Sequence, residues 1–192
     1  MAQRGEDFRT IWLKPDDPTV VQIIDQRLLP HEYRVHDLRS WEDGLVAIAD
    51  MYVRGAPLIG ATAAWSLYLA ALASSEPERA VRSAAAALLN SRPTAVNLRW
   101  AVDRILAVVG QHRGDAALAA LIRTDAQAIC DEDIEISRGI GNHGVALLEA
   151  ISSRKDGATV NVLTPVSYTH LTLPTKESRG WGGGGGGGGG GG

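Results

Sequence analysis

The run Leu58-Ile59-Gly60-Ala61-Thr62-Ala63-Ala64-Trp65-Ser66-Leu67-Tyr68-Leu69-Ala70-Ala71-Leu72-Ala73 contains no charged residue, and no side of a helix built from it would be polar. A helix that is apolar all round has to be covered by the rest of its domain or by lipid. Gly60, Thr62 and Ser66 interrupt the run and no basic cluster flanks it, which favours a buried helix over a membrane span. The stretch feeding it, Met51-Tyr52-Val53-Arg54-Gly55-Ala56-Pro57, reads as a tight loop carrying one cation. Gly55 and Gly60 permit close backbone approach, and Pro57 suits the first helical position. The unpaired N–H groups of that first turn, facing Arg54, form a candidate anion site. The plainer alternative is a solvated arginine at an ordinary loop-to-helix joint.

A chain of 192 residues holds one large domain, or one domain and part of another. The net charge of -3 and pI near 5.9 offer no basic surplus for nucleic acid, so anion binding would rest on local arginines. One cysteine, Cys130, excludes an internal disulfide framework, and Met1 to Asp7 lacks the apolar core of a secretion signal. The expectation is a soluble, cytoplasmic protein.

Thr10-Ile11-Trp12-Leu13 and Val20-Val21-Gln22-Ile23-Ile24 are β-type runs joined by a Pro- and Asp-rich turn, and Tyr33 to His36 adds a third strand to a small antiparallel sheet. Ser40 followed by Trp41-Glu42-Asp43 reads as a helix cap, with Leu45, Ile48 and Ala49 at helical spacing. A helix starts near Pro77 and ends near Asn90. Ser91-Arg92-Pro93-Thr94-Ala95-Val96-Asn97 is a second arginine set before a Pro-marked helix start. In the helix after it, Leu98, Ala101, Val102, Ile105 and Val109 share the inward face. A long helical region runs from about Ala116 to Ser153, with an interruption expected at Gly139 to Gly144. Its acids, Asp131, Glu132, Asp133 and Glu135, radiate around the axis instead of converging on an ion, so no metal site is expected. Cys130, with no spaced His and no helix amino end beside it, reads as a packing thiol, and His143 as a helix-joint residue.

Lys155-Asp156-Gly157 is a turn, and residues 158–164 have the apolar content of a buried parallel strand. Residues 165–192 show neither helical nor strand period and close on a glycine run from Gly182, so they are read as a non-native or disordered tail. The expected organisation is an amino-terminal sheet-and-helix domain over 1–115, a connecting helical region over 116–155, the first strand of a second domain over 156–164, and the tail.

Four ordered blocks carry a resemblance: Asp25-Gln26-Arg27-Leu28-Leu29-Pro30-His31-Glu32, Val53 to Gly60, Ser91 to Leu98, and Ile140-Gly141-Asn142-His143-Gly144. Together they resemble the S-methyl-5-thioribose-1-phosphate isomerases, aldose-ketose isomerases of methionine salvage within the initiation-factor 2B-like superfamily. The resemblance implies an α/β protein: an α+β amino-terminal domain, a long connecting helix and a Rossmann-like carboxy-terminal domain. It also implies a homodimer, a phosphosugar substrate, no cofactor, and no nucleic-acid or membrane partner. Substrate contacts carry over to Arg54, Gly55 and Ala56 in the first joint and to Arg92 in the second. The physics agrees, since a phosphate suits a fixed arginine fork beside helix-start donors.

The catalytic groups do not carry over. The resemblance places a His-Cys-Asn stretch directly after the strand ending at Leu163-Thr164 and an aspartate much later, whereas this chain reads Pro165-Val166-Ser167 there. The expectation is therefore an isomerase parent and an inactive 192-residue chain. Two further readings stay open: a non-catalytic regulatory subunit of the translation-initiation exchange factor, and a ribose-1,5-bisphosphate isomerase.

Overall fold

The computed structural model describes residues 9–156 and 158–162, which divide into two compact units between Arg138 and Gly139. The first unit opens with a three-stranded antiparallel sheet of order β1 (Ile11–Leu13), β2 (Val21–Ile24), β3 (Val35–Leu38). β3 begins two residues later than the sequence suggests, because its register is set by pairing across β2, with Ile24 opposite Val35 and Val21 opposite Leu38. One face carries a polar ladder in which the Trp12 indole donates to Gln22 and the Gln22 amide donates to Asp37. The other face delivers Ile11, Val21, Ile23 and Leu38 to the core.

Helix α1 (Trp41–Ala49) starts at a capping box: Asp43 N–H donates to Ser40 Oγ at 3.2 Å, and Ser40 N–H donates to the Asp43 carboxylate at 2.9 Å. It buries Ala47 and Ile48, while Ala49, one of the three apolar residues noted at helical spacing, is exposed. Helix α2 (Ala56–Leu72) is the centre of the unit, buried without a break from Ile59 to Ala71 and packed against α1, α3 (Pro77–Ser91) and α4 (Val96–Gln111). Tyr68 donates from its hydroxyl to the Pro18 carbonyl at 2.7 Å, tying the β1–β2 turn to α2. The five apolar positions expected on the inner face of α4 are all buried.

Helix α5 (Leu118–Arg154) runs unbroken through Gly139, Gly141 and Gly144, so the interruption expected there is absent. Each helical glycine costs only about 1 kcal/mol relative to alanine, which the surrounding turns tolerate. In the first unit α5 buries Leu118, Ile122, Ala126, Ile129 and Cys130. In the second unit it exposes Ile140, Val145 and Leu147 and ends in a turn with Asp156 at φ 50°. Residues 158–162 make no strand ladder, and no strand partner exists for them among the described residues of that unit. Residues 163–164 and the tail read at 165–192 lie outside the described residues. Among the described residues no helix is long and apolar enough to cross a membrane.

Candidate functional site

The first arginine joint is shaped by how α1 ends. Asp50 caps it, Met51 turns the chain at φ 60°, and the Tyr52 N–H returns to the Ala47 carbonyl at 2.9 Å. Val53 is fully buried and pins the loop, while Arg54, Gly55, Ala56 and Pro57 lie exposed. Gly55 is the amino cap of α2 at φ 96° and ψ 133°, a backbone conformation that side chains disfavour. Pro57 occupies the second helical position instead of the first, where its missing N–H is still no loss. Intrahelical bonding starts with the Ile59 N–H on the Gly55 carbonyl, and no side chain caps the end. The Gly55, Ala56 and Leu58 N–H groups therefore lack intrahelical acceptors.

The second joint repeats the pattern. Arg92 follows the last turn of α3, and the Ala95 N–H closes a turn on its carbonyl at 3.0 Å. Pro93 sits in that turn, ahead of the helix it was expected to begin, and α4 starts after Ala95, again with no side-chain cap. Arg92 is half-buried, and among the described residues neither it nor Arg54 has a carboxylate partner.

Gly60 joins the two ends. An added Cβ there would lie 2.9 Å from the Asn97 main-chain oxygen and 3.4 Å from the Ala101 Cβ, so the second turn of α2 rests directly on the first turn of α4. A cavity of about 220 Å³ opens beside this contact, lined by Pro57, Gly60, Asn97 and Trp100 with Ile129 and Ile136 of α5 among its other walls. Neither arginine lines it; Arg54 is exposed and Arg92 half-buried, each next to its helix start.

Four acids of α5 are engaged by arginines. Glu132 and Asp125 both grip Arg104, at 2.6 Å and 2.8 Å, and this holds the guanidinium charged and the Glu132 carboxyl below its usual range. Asp131 pairs with Arg9 at 2.7 Å and Glu135 with Arg138 at 2.8 Å. Among the described residues no group of three or more His, Cys, Asp and Glu is placed to hold a metal ion. Cys130 is buried, and burial pushes its thiol pKa up. Contrary to the sequence reading, a helix amino end does lie near it: Pro57, Leu58 and Ala61 of α2 share a cavity of about 210 Å³ with Cys130. The Trp65 indole N–H, buried with no hydrogen-bond partner, stands close enough to favour the thiolate without overcoming that burial. His143 lies inside α5, its Nδ1 at 2.7 Å from the Gly139 carbonyl, so it is not at a helix joint.

Sequence reasoning assigned no role to Gln26, which the fold places against the first joint. Its N–H donates to the Tyr52 carbonyl at 2.9 Å, its side-chain oxygen accepts from the Arg54 N–H at 3.2 Å, and its carbonyl accepts from Arg54 Nη2 at 2.7 Å. The signals in the sequence were its place in the Asp25 to Glu32 block and the polar Asp25-Gln26-Arg27 run directly after a buried strand.

The model of the Initiation factor 2 subunit family matches residues 52–172. The methylthioribose-1-phosphate isomerase of Desulfosudis oleivorans is 46% identical over 159 residues, covering 81% of this chain and 43% of its own length. That of Cereibacter sphaeroides is 44% identical over 164 residues, covering 85% and 43%. The crystal structure of 5-methylthioribose 1-phosphate isomerase from Pyrococcus horikoshii OT3 superposes with a TM-score of 0.61 at 41% identity, over 66% of this chain and 37% of that one. Translation initiation factor eIF-2B subunit delta from A. fulgidus also gives 0.61, at 30% identity, over 67% and 38%. The chain spans less than half the length of the relatives it matches.

Proposed function

The chain belongs to the initiation factor 2 subunit family, and on that premise we propose that it is part of an aldose-ketose isomerase converting 5-methylthioribose 1-phosphate to 5-methylthioribulose 1-phosphate. The observation that carries the reading is the pair of uncapped helix starts, α2 and α4, each preceded by an arginine with no carboxylate partner among the described residues. A sugar phosphate fits that arrangement: Arg54 and Arg92 supply charge and planar donor forks, and the Gly55 and Ala56 N–H groups supply fixed donors. Relatives at 44–46% identity carry the isomerase name, against 30% for the initiation-factor subunit, which favours an enzyme over a binding module.

The reaction moves hydrogen between C1 and C2 of the sugar with no net oxidation, so no redox cofactor is required. A phosphate on the anomeric oxygen prevents simple ring opening, and the site must promote that step first. Either proton transfer or a hydride shift then completes the isomerisation, with the two arginines restraining the phosphate throughout. The resemblance assigns acid-base work to a Cys directly after the expected strand, and Cys130, the one cysteine of the sequence, precedes that strand and does not fill the position. The reading is therefore of a chain that binds the phosphosugar without the cysteine that would turn it over, derived from a cytoplasmic homodimer.

The test is calorimetric titration of the 192-residue chain with 5-methylthioribose 1-phosphate, alongside Arg54→Ala and Arg92→Ala and an assay for ketose phosphate. Saturable binding weakened about tenfold or more by each substitution, with no turnover, is the expected result. Binding indifferent to both arginines would remove the basis for the reading.

A further inference from the structure

Two arginines approach the Tyr52–Arg54 loop, and they are held in opposite ways. Arg27 commits its fork to a carboxylate: Nε donates to Asp25 Oδ1 at 2.9 Å and Nη2 donates to Oδ2 at 2.7 Å. Its plane stacks on the Tyr52 ring, 3.3 Å from the centroid, and Tyr52 in turn meets the His36 ring edge-on at 5.2 Å. Asp25 is buried, so this pair is a fixed strut beneath the loop, its cation balanced locally. Arg54 is held by neutral groups instead, through the Gln26 carbonyl on its guanidinium and the Gln26 side-chain oxygen on its main-chain N–H.

We propose that Gln26 is a positioning residue for the phosphosugar site: its main-chain carbonyl aims the Arg54 guanidinium and its side-chain oxygen fixes the Arg54 main chain, both as neutral acceptors, so that the full charge of Arg54 remains for the ligand. The inference rests on the phosphosugar reading above and adds a residue to it. An unrestrained arginine side chain carries considerable rotamer entropy, and restraint in advance reduces what binding must remove. A carboxylate at position 26 would accept the Arg54 main-chain N–H equally well, but its negative charge beside the joint would compete with the phosphate for Arg54. An amide avoids that competition. Only one of the five guanidinium N–H donors is taken by the Gln26 carbonyl, which leaves the others for an oxyanion. The Asp25–Arg27 strut explains why the turn can hold this position: the Arg27 N–H donates to Asp25 Oδ1 at 3.1 Å, fixing the backbone on both sides of Gln26.

The substitution Gln26→Glu separates positioning from simple structural support, because it keeps shape and acceptor and adds only charge. Gln26→Met, neutral and without the side-chain acceptor but with the main-chain carbonyl kept, is the second variant and carries the test if the first does not fold. Both are compared with the parent 192-residue chain in titrations with ribose 1-phosphate, followed by the amide resonances of Gly55 and Ala56. In dilute buffer the dissociation constant is expected to rise about tenfold for Gln26→Glu, with most of that loss recovered at about 0.5 M salt. For Gln26→Met a rise of about threefold, independent of salt, is expected. Melting temperatures should stay close to the parent's. Equal affinity of parent and both variants overturns the role of Gln26 and leaves the phosphosugar site standing. A Gln26→Glu loss indifferent to salt also overturns it, marking Gln26 as support alone. A parent chain whose Gly55 and Ala56 resonances never saturate overturns the site and the proposal together.

Discussion

Gly60→Ala tests the contact that brings the two helix starts together. The new Cβ would stand 2.9 Å from the Asn97 carbonyl oxygen. Carbon-to-oxygen contacts settle at about 3.3 Å or beyond, so α4 or α2 has to move by roughly 0.4 Å. The obstacle is main chain and cannot rotate aside, and such overpacking costs about 1–3 kcal/mol. Opposing it, alanine gains about 1 kcal/mol over glycine in a helix interior. The net for Gly60→Ala therefore falls between neutrality and about 2 kcal/mol of destabilisation, too wide a range to interpret alone. Gly110, also helical and with nothing within 4 Å of an added Cβ, supplies the reference, since Gly110→Ala should show the propensity gain without the clash. Subtracting one variant from the other isolates the packing term of about 1–3 kcal/mol. Urea unfolding followed by circular dichroism measures both, with equal slopes confirming a common transition. If Gly60→Ala proves as stable as Gly110→Ala, the amino ends of α2 and α4 do not abut and the joined site loses its basis.

Gly55→Ala should destabilise by about 1–3 kcal/mol although its Cβ would meet nothing, because the strain lies in φ 96°; an unchanged melting temperature would mean the loop relaxes freely. Arg27 holds the Asp25 carboxyl below its ordinary value more strongly than burial raises it. A depressed folded pKa gives stability that is present above the unfolded value of about 3.9 and lost as pH falls below it, so Asp25→Asn should flatten the acid limb of a stability-versus-pH curve. A limb as steep as the parent's would count against that. Arg104→Ala should cost about 2 kcal/mol at low salt and less at high salt, since it frees Asp125 and Glu132 at a partly buried joint between α4 and α5; chemical denaturation at two salt concentrations decides it. Cys130 should react with a thiol reagent at least about a hundredfold more slowly than a free thiol until the chain unfolds, and rapid native labelling would contradict its burial.

Local signals were legible where local physics decides the outcome. The Ser40 cap needs only the residue three positions on, and the inward face of α4 follows from spacing alone. What depended on distant partners was not legible. The start of β3 is fixed by its pairing with β2, so Tyr33 and Arg34, which look strand-like, fall outside the ladder. The surroundings of Cys130 include the start of α2, which lines the same cavity, and nothing near Cys130 in sequence reports that α2 is there. Three glycines suggested a break in α5, but propensity is a weak force against the regular bonding of a long helix. At the candidate site, both arginine joints were visible as motifs. The support of Arg54 by Gln26 spans 28 positions and appears only once the chain is folded.

The continuous burial of α2 has a consequence for how this protein can change over generations. An amphipathic helix offers drift a lenient side, where substitutions are absorbed by water. From Ile59 to Ala71 α2 has none, so its tolerance is divided along its length instead of around its circumference. Its two ends face outward, Ala56 and Pro57 at the amino-terminal tip and Leu72 at the other, and the tip is the end where a ligand would arrive. New specificity can be tried at the tip while the shaft stays locked, and any alteration of the shaft has to be matched at once by α1, α3 and α4.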